Sequence, residues 1–237
     1  MRDTSAEIVL DYIKHEGLPV DIHVASNDHY DQDSLVWLFA LTDPEYSQKN
    51  RDLLIEIATA RDFGKFTNRR AARISMALNS FVKPESSVFS KDVFKNPYPQ
   101  MAAQFYQRSL EELPLRISRL SDYENLWKQE DEFLTLCESL IKKGEVKIEE
   151  NIENDIAVIY LPNILQESTV HRFAVNKTGV LHDKAIHNAT KRGRILYVQG
   201  NRFHFKYRYE TWVQLQGNSH PLRVDLTPLT RKLNAED

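Results

Sequence analysis

Three different rhythms of apolar and polar positions follow one another in the first sixty residues. In TSAEIVLDYIKHEG, Ile8, Val9, Tyr12 and Ile13 recur at helical spacing. Thr4, Ser5 and Glu7 form a capping-box arrangement and Gly17 is a stop, so the spacing predicts a helix. Val20, Ile22 and Val24 then alternate with Asp21, His23 and Ala25, which predicts a short strand. From Ser34 to Leu41 the run SLVWLFAL is almost continuously apolar and stops at Asp43-Pro44, which predicts a buried helix. Further helices are predicted over residues 49–60, closing in Arg61-Asp62-Phe63-Gly64, and over 68–81. Residues 83–99 hold three prolines and read as an irregular connection or a lid. Two more helices are predicted over 100–120, interrupted at Pro114, and over 122–143, ending at Lys142-Lys143-Gly144.

After Gly144 the rhythm shortens. VKIEENI, DIAVIYLP and VHRFAVNK read as strands and HDKAIHNATKR as a short helix; RILYVQ and RFHFKYRYETWVQL read as a hairpin turning at Gly200-Asn201. The order of elements favours an α/β fold, with a layered N-terminal domain over residues 1–143 and a smaller α+β domain over 144–237.

A chain of 237 residues with 41% hydrophobic and 10% aromatic residues buries a substantial core. Lys plus Arg number 31 against 34 Asp plus Glu, so the net charge of -3 gives no general attraction to nucleic acid or anionic membrane, and any such binding needs a local patch. The single cysteine, Cys137, lies in the apolar helical stretch EFLTLCESLI, which excludes an internal disulfide and points to a packed thiol; a reducing cytoplasm fits. No run is long enough to span a membrane, and MRDTSAEI is neither a signal nor a transit peptide. Oligomeric state is not legible.

The chemistry concentrates in SNDHYDQDSLVWLFAL, residues 26–41, where Asp28, His29, Asp31 and Asp33 fall between the predicted strand and the predicted helix. Open α/β sheets form their ligand crevice at such a place. Magnesium and manganese take oxygen ligands, and manganese also accepts imidazole, so these side chains are candidate metal ligands. An extended loop would turn the outer members of the D-x-D pair to one side. The competing expectation is that these acids cap the helix and face solvent, and spacing alone favours capping.

The piece His29-Tyr30-Asp31-Gln32-Asp33-Ser34 resembles the first motif of DHH-type phosphoesterases, H-x-D-x-D-G, with Ser34 in place of Gly. That resemblance implies a DHH-like N-terminal layer and a manganese or magnesium ion that activates water for attack at phosphorus. It assigns metal binding to His29, Asp31, Asp33 and Asp28, with Asp62 as a later acidic ligand. Asp31, Asp33 and Arg208 become the catalytic candidates, with Arg208 or Arg192 steadying the anion. The Asp-His-His triplet of that superfamily is absent. The implied substrate is a phosphorylated small molecule or nucleotide, and the alternative is a non-catalytic binding or scaffold protein that has lost part of the metal site. A broader likeness runs through DTSAEIVLDYI, SNDHYDQDSLVWLFALTDPE, LLIEIATARDFGKF and RYETWVQL, which resemble in order an uncharacterised bacterial family with ADTSTEIAL, NNHFDTDGLLSVWALL and RYETW segments.

In the C-terminal half, His182 and His187 are five apart, about 140° on a helix, so a shared metal is disfavoured; one half-buried and one exposed histidine are expected. In the strand from Arg202, Phe203, Phe205, Tyr207 and Tyr209 alternate with His204, Lys206, Arg208 and Glu210. The ordinary expectation is an aromatic face in the core and a charged face in water. Alternatively the cationic face holds a substrate phosphate, and His187, Arg192, Lys206 and Arg208 are the substrate-binding candidates. With 7 Gly in the chain, no Gly-rich phosphate loop is present, and no G-x-S-x-G elbow occurs.

Overall fold

A computed structural model describes residues 4–18, 21, 25, 27, 29–85, 88–162 and 181–208. These form a mixed α/β structure of eight helices and a four-stranded sheet, 61% helical. The helices are α1 (Ser5–Glu16), α2 (Gln32–Thr42), α3 (Pro44–Lys49), α4 (Arg51–Asp62), α5 (Arg69–Phe81), α6 (Tyr98–Ser118), α7 (Glu124–Lys142) and α8 (Asp183–Ala189). The strands are β1 (Lys147–Asn151), β2 (Ile156–Tyr160), β3 (Arg194–Gln199) and β4 (Arg202–Tyr207). Of the predicted strand at 20–24 only Asp21 is described, in a turn, and the VHRFAVNK strand lies outside the described residues, as does Tyr209 onward.

Local rules account for most helix ends. Thr4 accepts from the Glu7 amide at the start of α1, and Gly17 closes that helix at φ 79°, a left-handed angle that glycine adopts without cost. Asp43 ends α2 but does not end helical structure. It caps α3 through the Tyr46 amide, with Pro44 in the first turn, where a missing N–H costs nothing. That helix was not expected from the sequence. Likewise α6 runs through Pro114 without a break.

Three apolar clusters meet at α5, two large and one small, the last built on Ala77, Phe81 and Leu126. Ile74 and Leu78 face one large core, with Leu10, Leu35, Leu54, Ile57 and Leu113. Met76, two residues along and so about 200° round the helix, faces the other, with Leu134, Cys137, Ile159, Ile186, Ile195 and Tyr197. Residues on both sides of position 144 therefore build the second core. Ion pairs reinforce the seam between α5 and α7: Arg69 reaches Asp131 at 2.6 Å and Glu138 at 2.8 Å, and Arg73 reaches Asp131 at 2.9 Å.

The sheet has order β1-β2-β3-β4, with β1–β2 and β3–β4 antiparallel and β2–β3 parallel. The hairpin turns at Gly200-Asn201 as predicted. Its faces are the reverse of the ordinary expectation. Phe203, Phe205 and Tyr207 are exposed, whereas Lys206 turns toward α8 and pairs with Asp183 at 2.5 Å. The reason is that α8 supplies a carboxylate on the inner side, so the charge is matched there and the aromatic rings face out. Among the described residues no helix is long and apolar enough to cross a membrane.

Candidate functional site

The acidic loop lies against the first turns of two helices. Asp31 is the N-cap of α2: its backbone is extended and its Oδ1 accepts from the Ser34 amide at 2.6 Å. Its Oδ2 is 2.8 Å from His29 Nε2. Asp33, already inside α2 and 4% exposed, turns elsewhere. Its two oxygens accept from the Ala6 and Ser5 amides, at 2.8 and 2.9 Å, at the N-terminus of α1. The D-x-D pair thus does not present both carboxylates to one side. Helix α2 begins between them, and a rotation of about 100° per residue replaces strand alternation.

Helix α6 braces the loop. Tyr106 donates its hydroxyl to the His29 carbonyl at 2.7 Å and accepts from the Asp31 amide at 3.3 Å. Tyr98 accepts from the Tyr30 amide at 2.9 Å, and the Tyr30 and Ser109 hydroxyls are 2.9 Å apart. Burial pushes the Tyr30 hydroxyl up to about 12, so it stays a neutral partner. Asn27 donates to the His29 carbonyl at 2.9 Å and to Ser34 Oγ at 2.5 Å. These braces were missed from sequence, although Tyr98, Tyr106 and Ser109 do lie on one side of a helix at their spacing.

Asp62, the last residue of α4, completes the acidic group. It is half-buried and makes no hydrogen bond or ion pair among the described residues. Burial, and then the negative charges of Asp33 and Asp31, push its carboxyl up to about 7, while Arg61 and His29 pull the other way. Burial also raises the carboxyl of Asp33, against the two α1 amides that lower it. Three acids from a loop, α2 and α4 therefore share one electrostatic environment. Asp28 lies outside the described residues.

The other sequence candidates gather around α8, which docks on the same end of α4. Lys184 donates Nζ to the Ala60 carbonyl, and His187 donates Nδ1 to the Phe63 carbonyl at 3.0 Å. Asn188 accepts from the Phe66 amide at 3.1 Å. Burial lowers Lys184 to about 8, opposed by Glu130, and lowers His187 to about 4 with the help of the Arg208 charge. Both His182 and His187 are largely buried; neither is the exposed histidine expected from the sequence. Arg208 is buried, with its guanidinium on the Thr190 and His187 carbonyls at 2.6 and 2.5 Å, where it closes the C-terminus of α8. Arg192 lies 3.5 Å from Glu150 and 3.7 Å from Asp155. Arg208, Arg192, Lys206 and His187 thus hold internal partners. Lys184, with no distinguishing signal in the sequence, also feels the charge of Asp62, after those of Glu130 and Asp183.

The donor chemistry of the acidic group, carboxylate oxygens with one imidazole, suits a hard divalent cation. In the arrangement described, helix amides occupy one lone pair on each Asp33 oxygen and on Asp31 Oδ1. Among the described residues no group of three or more His, Cys, Asp or Glu side chains converges on one point. Cys137 takes no part: it is buried, it accepts from the His182 amide, and burial pushes its thiol up to about 11.

No curated protein and no solved structure matches the chain, so neither supports the DHH-type resemblance. The match that does exist runs from residue 1 to residue 237, and by it the chain belongs to a family of unknown function, DUF6687.

Proposed function

We propose that the protein is a metal-dependent hydrolase of a phosphorylated small molecule or nucleotide, with a DHH-like N-terminal layer. Asp62, Asp31, Asp33 and His29 would hold a manganese or magnesium ion, joined by Asp28. The observation that carries this is the position of Asp62: a half-buried carboxylate at the far end of another helix, in the field of Asp33 and Asp31 and with no hydrogen bond or ion pair among the described residues. Such a group costs stability in a structural role and is relieved by a cation. When bound, the ion would supply a polarised water and neutralise phosphate charge. The protein's own part is positional. The α1 amides fix Asp33, Ser34 fixes Asp31, and Tyr106 and Asn27 hold the His29 backbone. Arg208 and Arg192 have no place in this reading, because their guanidinium groups serve internal partners.

The scaffold alternative has its own support, since Asp31 and Asp33 each have a complete structural explanation as helix caps. For the same reason Asp33→Ala is a poor test, because it damages α1 as well as any metal site. Asp62→Asn breaks no hydrogen bond. Titration of manganese into the wild type, followed by the paramagnetic signal of free ion, is expected to show a site that Asp62→Asn weakens at least tenfold while the fold is kept. Absence of any site in the wild type, or equal binding by the variant, would establish the scaffold alternative.

A further inference from the structure

At the opposite end of α4 the ends of four helices enclose a groove of about 750 Å³. It is lined by Lys14 at the end of α1, Lys49 at the end of α3, Asn50 and Arg51 at the start of α4, and Asn68 and Arg70 at the start of α5. Two helix C-termini and two N-termini meet there, so their dipoles largely offset one another and the side chains set the local charge. Four of those side chains are cationic. Asp52 is the single acidic residue of the lining, and its side chain is 98% exposed. Lys14 and Lys49 are exposed and make no ion pair among the described residues. Arg51 is paired with two carboxylates, Asp11 at 2.5 Å and Asp52 at 3.4 Å, so its charge is largely matched within the protein. Arg70 is anchored by the Ile117 carbonyl. The N-cap residue of α4, Asn50, gives its side chain to the Tyr46 carbonyl instead of capping the α4 amides.

We infer that this groove is a binding site for a small organic phosphate, one carrying a diphosphate or two nearby phosphate groups. The groove is open to solvent, and its volume is enough for a small molecule. The charge argues for phosphate, since Arg70, anchored on a carbonyl, keeps an unmatched guanidinium charge and the two lysines add mobile donors. A chain with net charge -3 otherwise repels such a ligand, so a concentrated positive groove is the place where one would be held. The groove is separated from Asp62 by the length of α4, about 16 Å at 1.5 Å per residue, and does not depend on the acidic group.

The test is calorimetric titration of the full chain with pyrophosphate at low ionic strength in EDTA, so that no cation can recruit the anion to the acidic end. One-to-one binding is expected, weakening on addition of salt. Lys14→Ala/Lys49→Ala, which breaks no ion pair, should keep the thermal midpoint and reduce affinity by roughly 5- to 30-fold, as two lost charge contacts imply. Lys128→Ala on α7 should bind as the wild type does. The proposal is overturned by no binding at millimolar pyrophosphate, by unchanged affinity in the double lysine variant, or by a short RNA binding more tightly than pyrophosphate.

Discussion

Asp62→Asn is expected to stabilise the protein at neutral and alkaline pH and to leave it nearly unchanged in acid. In the fold the carboxyl is raised from its ordinary 3.8 to about 7 by burial and by the charges of Asp33 and Asp31. For a raised acid, the protonated form favours the fold. Its contribution is fully present below 3.8 and is lost as pH rises through about 7. The full separation corresponds to about 4 kcal/mol, and solvent relaxation around a half-buried group brings this to roughly 2 kcal/mol. Asparagine mimics the protonated form at every pH and so keeps what the wild type loses. With about 2–4 °C per kcal/mol for a chain of this size, the variant should melt roughly 4–8 °C above the wild type near pH 8, and within about 1 °C of it near pH 4. The assay is a thermal melt of both proteins in EDTA across that range. A gap independent of pH, or a variant less stable than the wild type at pH 8, would show that Asp62 is not a strained, unpartnered carboxylate. Added manganese should narrow the gap from the wild-type side.

Three further outcomes are expected. Asp33→Ala should destabilise by about 2–3 kcal/mol, because the part-buried Ser5 amide and the buried Ala6 amide lose their acceptors, and amide exchange should speed up first at those two positions. Gly64→Ala should cost about 1–3 kcal/mol in urea titration, since Gly64 has φ 59° and an added Cβ would lie 2.5 Å from His187 Nδ1. Cys137 should resist iodoacetamide in the folded protein at neutral pH and react only in denaturant, because burial holds its thiol at about 11; ready alkylation of the native protein would contradict that packing.

The positions of the acidic residues relative to the helices were legible in the chain, but not their hydrogen bonds. The apolar run from Ser34 predicts a buried helix just after His29 and Asp31, and Asp31 is its cap, whereas Asp33 lies inside the first turn of α2. The helix predicted over residues 49–60 closes in Arg61-Asp62-Phe63-Gly64, and Asp62 is the last residue of α4. The roles of Arg208 and Lys206 were not legible, because a cation in an alternating strand has the same sequence signature whether it meets water, a phosphate or the end of a neighbouring helix. The carbonyls under Arg208 belong to Thr190 and His187, and the carboxylate under Lys206 to Asp183; only docking of α8 puts them there. The prolines show the same limit. Pro114 predicts a break that packing overrides, and Pro44 marks a stop that becomes a new start because Asp43 can cap it.

The sequence by itself determined the elements set by neighbours within a few residues: the capped start and glycine end of α1, the buried α2, the helices α4, α5 and α7, and the hairpin at Gly200-Asn201. Those follow from periodicity, capping and turn chemistry, whose range is one helical turn or one strand pair. The tertiary structure alone decided where each charge goes. Asp33 meets amides 27 and 28 residues away, and Lys184 meets a carbonyl 124 residues away. Lys14 and Lys49 share a groove with the starts of α4 and α5. Electrostatic and hydrogen-bond energies depend on distance in space, and a chain carries that distance only once its apolar faces have packed.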